Sequence, residues 1–172
     1  DKRDRAAIYD AMNETLAKLH KVDHGAIGLG DFGRPGNYFE RQIGRWSKQY
    51  TASQTEDIPA MNSLMEWLPA NLPPSDKGGD ETSIVHGDYR IGNMLSGEDA
   101  EVKAVLDWEL CTLGDTLADV GYIMNNWGQP GDPETAEGDV SPTAIGGFPS
   151  RAEFIEAYSK RTGHEVTNVD YY

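Results

Sequence analysis

One cysteine in 172 residues leaves nothing for an internal disulfide to join, so Cys111 suits a reducing compartment better than a stapled, secreted scaffold. Basic residues are scarce as well. Against 29 Asp and Glu stand only 15 Lys and Arg, a formal charge of −14. That balance argues against a nucleic-acid partner, because phosphate backbones are bound by a concentrated Lys/Arg face. No apolar run approaches the roughly 20 residues that span a bilayer, and the opening DKRDRAAIYD lacks the form of a signal peptide. The expectation is a cytoplasmic protein that engages neither membrane nor nucleic acid. His20, His24 and His164 are scattered along the chain, which leaves no histidine pair at ligand spacing for a transition metal. Nothing in the composition fixes an oligomeric state.

What is present suffices for one domain with a core: 38% of the residues are apolar. Ile8, Met12, Leu16 and Leu19 fall three and four apart on one helical face, with Gly25 as a stop after His24. Phe39, Ile43, Trp46 and Tyr50 repeat the pattern in a second helix, and Met61, Leu64, Met65 and Leu68 in a third that should end near Pro69. The segment ANLPPSDKGGDE then reads as a linker. Ser83–His86 and Val102–Leu106 are β-rich, with a turn at Gly97–Ala100, so 83–107 should hold a loop followed by a small hairpin. Helix returns at Thr116–Trp127, with Leu117, Val120, Ile123, Met124 and Trp127 inward. Residues 128–149 lack periodicity, and Ser150 with Glu153 forms a capping box for a last helix carrying Phe154, Ile155 and Tyr158. Because the chain starts without Met inside a helix and stops just after Asn168, a segment of a longer polypeptide is expected.

Gly28-Leu29-Gly30-Asp31-Phe32-Gly33 matches a nucleotide-cradling glycine pattern, yet no strand precedes it and Arg34-Pro35 stands where a helix should open. A turn-rich loop is expected there. The stretch IVHGDYRIGN at 84–93 is different. Asp88 and Asn93 are five positions apart, the spacing of Asp and Asn in a kinase catalytic loop, and Asp107 follows on the far side of the hairpin. Phosphoryl transfer needs a carboxylate beside the attacking hydroxyl and hard oxygen ligands for Mg²⁺ on the phosphates. The three side chains are of the right kind for both tasks.

HGDYRIGNML and VLDWELCTLGDTLADVG resemble the aminoglycoside phosphotransferase and choline kinase family, whose fold is similar to that of the protein kinases. Within it they are closest to the branch related to the kinase-like domain of acyl-CoA dehydrogenase fusion proteins. LAKLHKVD (16–23) and GDFGRPGNYFERQIGRWSKQY (30–50) fit that branch too. The resemblance implies a mainly α chain with a small β-hairpin, residues 1–172 forming the C-terminal catalytic and substrate-binding lobe of a kinase-like α+β fold. No glycine-rich loop or lysine of an N-terminal nucleotide lobe is recognisable, so the segment alone is expected to be inactive.

Carried over position by position, the resemblance makes Asp88 the catalytic aspartate, and Asn93 and Asp107 the Mg²⁺ and nucleotide ligands. Arg90 would reach the transferring phosphate. His86, Glu109 and Asp119 would support, with His86 bracing the loop and Asp119 accepting backbone N–H bonds from it; Asp115 reads as a helix cap or turn residue. The implied reaction moves the γ-phosphoryl group of ATP or GTP to a hydroxyl of a small molecule, a hydroxyacyl thioester or other hydroxylated metabolite, or an aminoglycoside-like compound. The acceptor pocket is expected from 128–149 and from helices near 38–50 and 151–161. Two other readings compete. A catalytically silent nucleotide-binding pseudokinase has no chemical need to keep Asp88, Asn93 and Asp107 together, and a metal-dependent hydrolase lacks the second histidine.

Overall fold

The computed structural model describes residues 2–74, 82–125, 127–128 and 141–172. Most of the aperiodic loop expected at 128–149, and the second half of the expected linker, lie outside the described residues. Five helices are found: α1 (Lys2–His20), α2 (Tyr38–Ser53), α3 (Pro59–Ala70), α4 (Leu117–Asn125) and α5 (Arg151–Thr162). Four short strands complete them, β1 (Thr82–Val85), β2 (Met94–Ser96), β3 (Val102–Val105) and β4 (Thr112–Asp115).

The core lies where α1, α4 and α5 meet. Met12 and Leu16 of α1, Leu117, Val120, Ile123 and Met124 of α4, and Phe154 and Tyr158 of α5 bury against Trp127 and Tyr89. Removing each such side chain from water stabilises by roughly 1.5–3 kcal/mol, so the helical spacing read in the sequence is the pattern that drives this packing. Polar bonds then fix the helices against each other. The amide of Asn13, buried in α1, donates to the Phe154 carbonyl at 2.8 Å and accepts from Arg161 at 2.7 Å. At the start of α5 the capping box forms as expected, with Ser150 Oγ accepting from the Glu153 N–H and Glu153 accepting from the Ser150 N–H.

The two-stranded sheets are nested. β2 pairs with β3 in an antiparallel hairpin, with Met94 opposite Val105, and β1 pairs antiparallel with β4 outside it, with Val85 opposite Thr112. β4 is the element not foreseen. Thr112-Leu113-Gly114-Asp115 has poor strand propensity, and the ladder to β1 supplies its backbone partners instead. Gly114 is required by packing, since a Cβ there would stand 2.4 Å from the Tyr38 ring.

Three expectations shift in detail. α1 stops at His20 rather than at His24, because residues 21–29 fold into hydrogen-bonded turns, with Asp23 Oδ1 accepting from the Ala26 N–H. α4 stops at Asn125, two residues before the buried Trp127. On α2 and α3 the apolar stripes are not inward throughout: Trp46 is 45% and Leu64 44% exposed. Residues 28–33 form turns, as the missing strand and the Arg-Pro pair predict.

Candidate active site

Nesting one hairpin inside another strand pair brings two connections side by side. The link from β1 to β2 carries His86, Asp88, Arg90 and Asn93; the link from β3 to β4 carries Asp107 and Glu109. Residues some 20 positions apart in sequence thus come to one end of the sheets.

The two links are stitched together at Leu106. Its carbonyl accepts from His86 Nε2 at 2.9 Å, and its N–H donates to the Asn93 carbonyl at 2.8 Å. His86 is fully buried, and its other nitrogen, Nδ1, accepts the Asp88 N–H at 3.2 Å. One neutral tautomer, protonated on Nε2, serves both bonds. Trp108 covers the imidazole, with ring centroids 4.7 Å apart, and ties its indole N–H to the Val105 carbonyl. Asp107 sits between these anchors at φ 64° and ψ 59°, in the left-handed region. Asp tolerates that conformation at a cost of about 1–2 kcal/mol, which the flanking bonds at Leu106 and Trp108 offset.

Asp119 secures the start of the loop from below. Its buried carboxylate accepts the His86 N–H at 2.7 Å and the Gly87 N–H at 2.8 Å, and faces His20 Nε2 at 3.1 Å. His20 passes the chain of bonds on through Nδ1 to the Tyr158 hydroxyl at 2.7 Å, and its carbonyl accepts from Ser83 Oγ at 2.6 Å. Gly87 adopts φ +83°, and a Cβ there would lie 2.9 Å from the Leu110 carbonyl oxygen. The loop therefore passes as close to the second link as a backbone allows.

Asp88, partly exposed, is surrounded by donors. Asn93 Nδ2 reaches its Oδ2 at 2.8 Å and its carbonyl at 2.9 Å, while Arg90 Nε lies 3.1 and 3.3 Å from its two oxygens. Burial works against ionisation, but hydrogen bonding from Tyr122, Asn93 and Arg90 outweighs it and holds the carboxyl below the usual aspartate range. The same contact with Asp88, helped by burial, pushes the Tyr122 phenol up. Arg90 is thus turned onto Asp88 through one nitrogen, with the rest of its guanidinium exposed.

Two oxygen donors at the site are uncommitted. The Asn93 side chain spends its amide nitrogen on Asp88, and among the described residues its Oδ1 accepts nothing; the exposed Asp107 carboxylate likewise has no protein partner there. A carbonyl and a carboxylate oxygen fit Mg²⁺, which takes one or two protein oxygens and completes its shell with phosphate and water. No group of three or more His, Cys, Asp or Glu suited to a metal is found among the described residues, so the site does not fit a transition metal held by protein alone. Glu109 is exposed, in a single 3₁₀ turn, with no hydrogen bond to the others. Asp115 ends β4, and its Oδ1 accepts the Leu117 N–H, a turn role.

A cavity of about 360 Å³ opens beside the loop. Gly87 and Leu110 form its floor, Tyr38, Phe39, Gln42, Arg45 and Trp46 of α2 one wall, and Ala118, Tyr122 and Asn125 of α4 the other, with Tyr172 at its edge. Of the three segments expected at an acceptor pocket only 38–50 lines this one. No residue of α5 does, and 129–140 lies outside the described residues. Sequence reasoning missed Tyr122, His20 and Tyr89. The inward stripe of α4 implies that Tyr122 points away from the core, but not what it meets there. Tyr89, fully buried with its hydroxyl on the Met12 carbonyl at 2.8 Å, could have been found as the one large apolar residue inside a polar loop.

The chain matches the model of the phosphotransferase enzyme family over residues 1–154. It is 49% identical over 171 residues to acyl-CoA dehydrogenase family member 11 of Gallus gallus and 42% identical over 172 residues to family member 10 of Mus musculus. Those alignments cover 95% and 98% of this chain but 21% and 16% of the relatives, so it spans about a fifth of their length or less. Among solved structures, a candidate aminoglycoside phosphotransferase of Ralstonia eutropha superposes with a TM-score of 0.85 at 47% identity, covering 99% of this chain and 52% of that one.

Proposed function

Because this chain belongs to the phosphotransferase enzyme family and carries the C-terminal lobe of a protein-kinase-like fold, we propose that it serves Mg²⁺-dependent transfer of the γ-phosphoryl group of ATP or GTP to a hydroxyl of a small molecule. One observation carries this reading: Asp88, Asn93 and the Asp107 segment are bound into one unit through Leu106, with donors around Asp88 and two hard oxygens left over. Asp88 is the group that orients the acceptor hydroxyl and takes its proton. The neighbouring donors lower its basicity, which suits a loose transition state in which the nucleophile loses its proton late. Asn93 Oδ1 and Asp107 would hold Mg²⁺, which supplies charge neutralisation on the phosphates. Arg90, with its exposed edge, offers charge to the transferring group. His86 and Asp119 keep the loop in register, and Glu109 adds negative charge near the metal side.

The N-terminal lobe that would cover the nucleotide is assigned to sequence outside these 172 residues, and the reaction to the cytoplasm, where nucleotide and a reduced Cys111 are compatible. For the acceptor, the cavity is more informative than the net charge of −14. Its described lining carries four aromatic rings from α2 and α4, one cation at Arg45 and no carboxylate. Such walls suit an apolar acceptor with an acidic or hydrogen-bond-accepting group, in keeping with a hydroxyacyl thioester, and they suit a polycationic aminosugar poorly. No helix among the described residues is long and apolar enough to cross a membrane.

Nucleotide affinity of the full-length protein, measured by calorimetry with and without Mg²⁺, tests the metal assignment. Asp107→Ala should weaken binding mainly when Mg²⁺ is present. Equal weakening in both conditions would make Asp107 a structural residue instead.

A further inference from the structure

Tyr122 stands where the cavity meets Asp88. It lies on α4 three residues beyond Asp119, so the helix that grips the loop's backbone through a buried carboxylate also presents a phenol to the loop's carboxylate one turn later. The ring is 37% exposed and forms part of the cavity wall beside Gly87 and Leu110. Arg90 and Asn93 reach Asp88 from within the loop itself, at 3.1 and 2.8 Å; Tyr122 reaches it from the cavity side, and more loosely. A phenol O–H offered to this carboxylate is what an acceptor alcohol offers it during phosphoryl transfer.

We propose that Tyr122 is a placeholder at Asp88: its hydroxyl occupies the position that an acceptor hydroxyl takes on binding, and it keeps water out of that position until the acceptor displaces it. The inference rests on the phosphotransferase reading of the site. Being exposed, the ring turns aside without disturbing Asp119. If the hydroxyl is removed, a water takes its place at the carboxylate. Its oxygen bonds to the γ-phosphorus of the nucleoside triphosphate, the bond to the bridging oxygen breaks with its electron pair leaving on the nucleoside diphosphate, and the water's proton passes to Asp88 and on to solvent. The product is inorganic phosphate. With an acceptor alcohol in place of the water the same balance yields the phosphorylated acceptor.

The test uses the full-length protein with Mg²⁺ and ATP or GTP. Inorganic phosphate release is followed with no acceptor present, and KM and kcat are then determined for a hydroxylated acceptor. Tyr122→Phe keeps the ring and removes only the hydroxyl, and Tyr122→Leu opens more space. Losing one charge-assisted hydrogen bond at this position should raise acceptor-free hydrolysis, and its ratio to transfer, about tenfold in Tyr122→Phe. Acceptor KM should fall, and the hydrolysis gained should vanish in the double variant with Asp88→Ala. Unchanged hydrolysis in both variants overturns the placeholder. So does a fall in kcat at unchanged KM, which would make Tyr122 a group that orients Asp88 during the reaction. Asp88→Ala alone separates the two levels: retained transfer sinks the phosphotransferase reading itself, whereas lost transfer with flat hydrolysis in the Tyr122 variants sinks only the inference.

Discussion

The two faces of the cavity are built in opposite ways. On one side the catalytic loop is held by buried bonds: Asp119 to two backbone N–H groups, His86 to Leu106, Leu106 to Asn93. On the other, α2 buries only Tyr38 and α3 buries no residue fully, while Trp46, Leu64 and Trp67 stay 44–49% exposed. The first arrangement fixes atoms to within a fraction of an ångström, as chemistry on a phosphoryl group requires. The second tolerates change, which is the property wanted in a wall that selects the acceptor. One side of the site is specified by hydrogen bonds that cannot be exchanged singly, the other by apolar surface that can.

Substitutions on the two sides should therefore differ sharply. Asp119→Ala leaves two buried N–H groups and a histidine without their acceptor, and should lower the unfolding free energy by about 3–5 kcal/mol in urea denaturation. Gly87→Ala forces a side chain into the left-handed region and against Leu110, and should cost about 2 kcal/mol by the same measurement. Removing the helix cap with Ser150→Ala, remote from both walls, calibrates the scale at about 1 kcal/mol. Trp46→Ala should change stability by less than about 0.5 kcal/mol and raise acceptor KM several-fold. A loss of stability in Trp46→Ala comparable to that in Asp119→Ala would erase the distinction between the two walls.

The same contrast explains what could be read from the sequence. α1, α4 and α5 were legible because Met12, Leu16, Val120, Phe154 and Tyr158 pack on one shared core and repeat with helical period. α2 and α3 carry similar stripes, but Trp46 and Leu64 face outward. A period shows which residues share a face, and it does not show whether anything covers that face. The positions of Asp88, Asn93 and Asp107 were legible because local spacing within one loop, and one hairpin between two loops, suffice to gather them. β4 was not, since Gly114 and Asp115 are chosen by the Tyr38 ring above and the turn into α4 rather than by strand propensity. Tyr122 was hidden for a related reason: its partner comes from a loop 34 positions earlier, and no local pattern records that meeting.

The most direct measurement is Mg²⁺-dependent ADP or GDP release by the full-length protein across hydroxyacyl thioesters, aminosugars and amino alcohols, with phosphorylated product identified and Asp88→Ala run beside it. The account predicts acceptor-dependent release, strongest with acidic or apolar hydroxylated acceptors, that falls by about 10²–10⁴ in Asp88→Ala. Acceptor phosphorylation that persists undiminished in Asp88→Ala would contradict it.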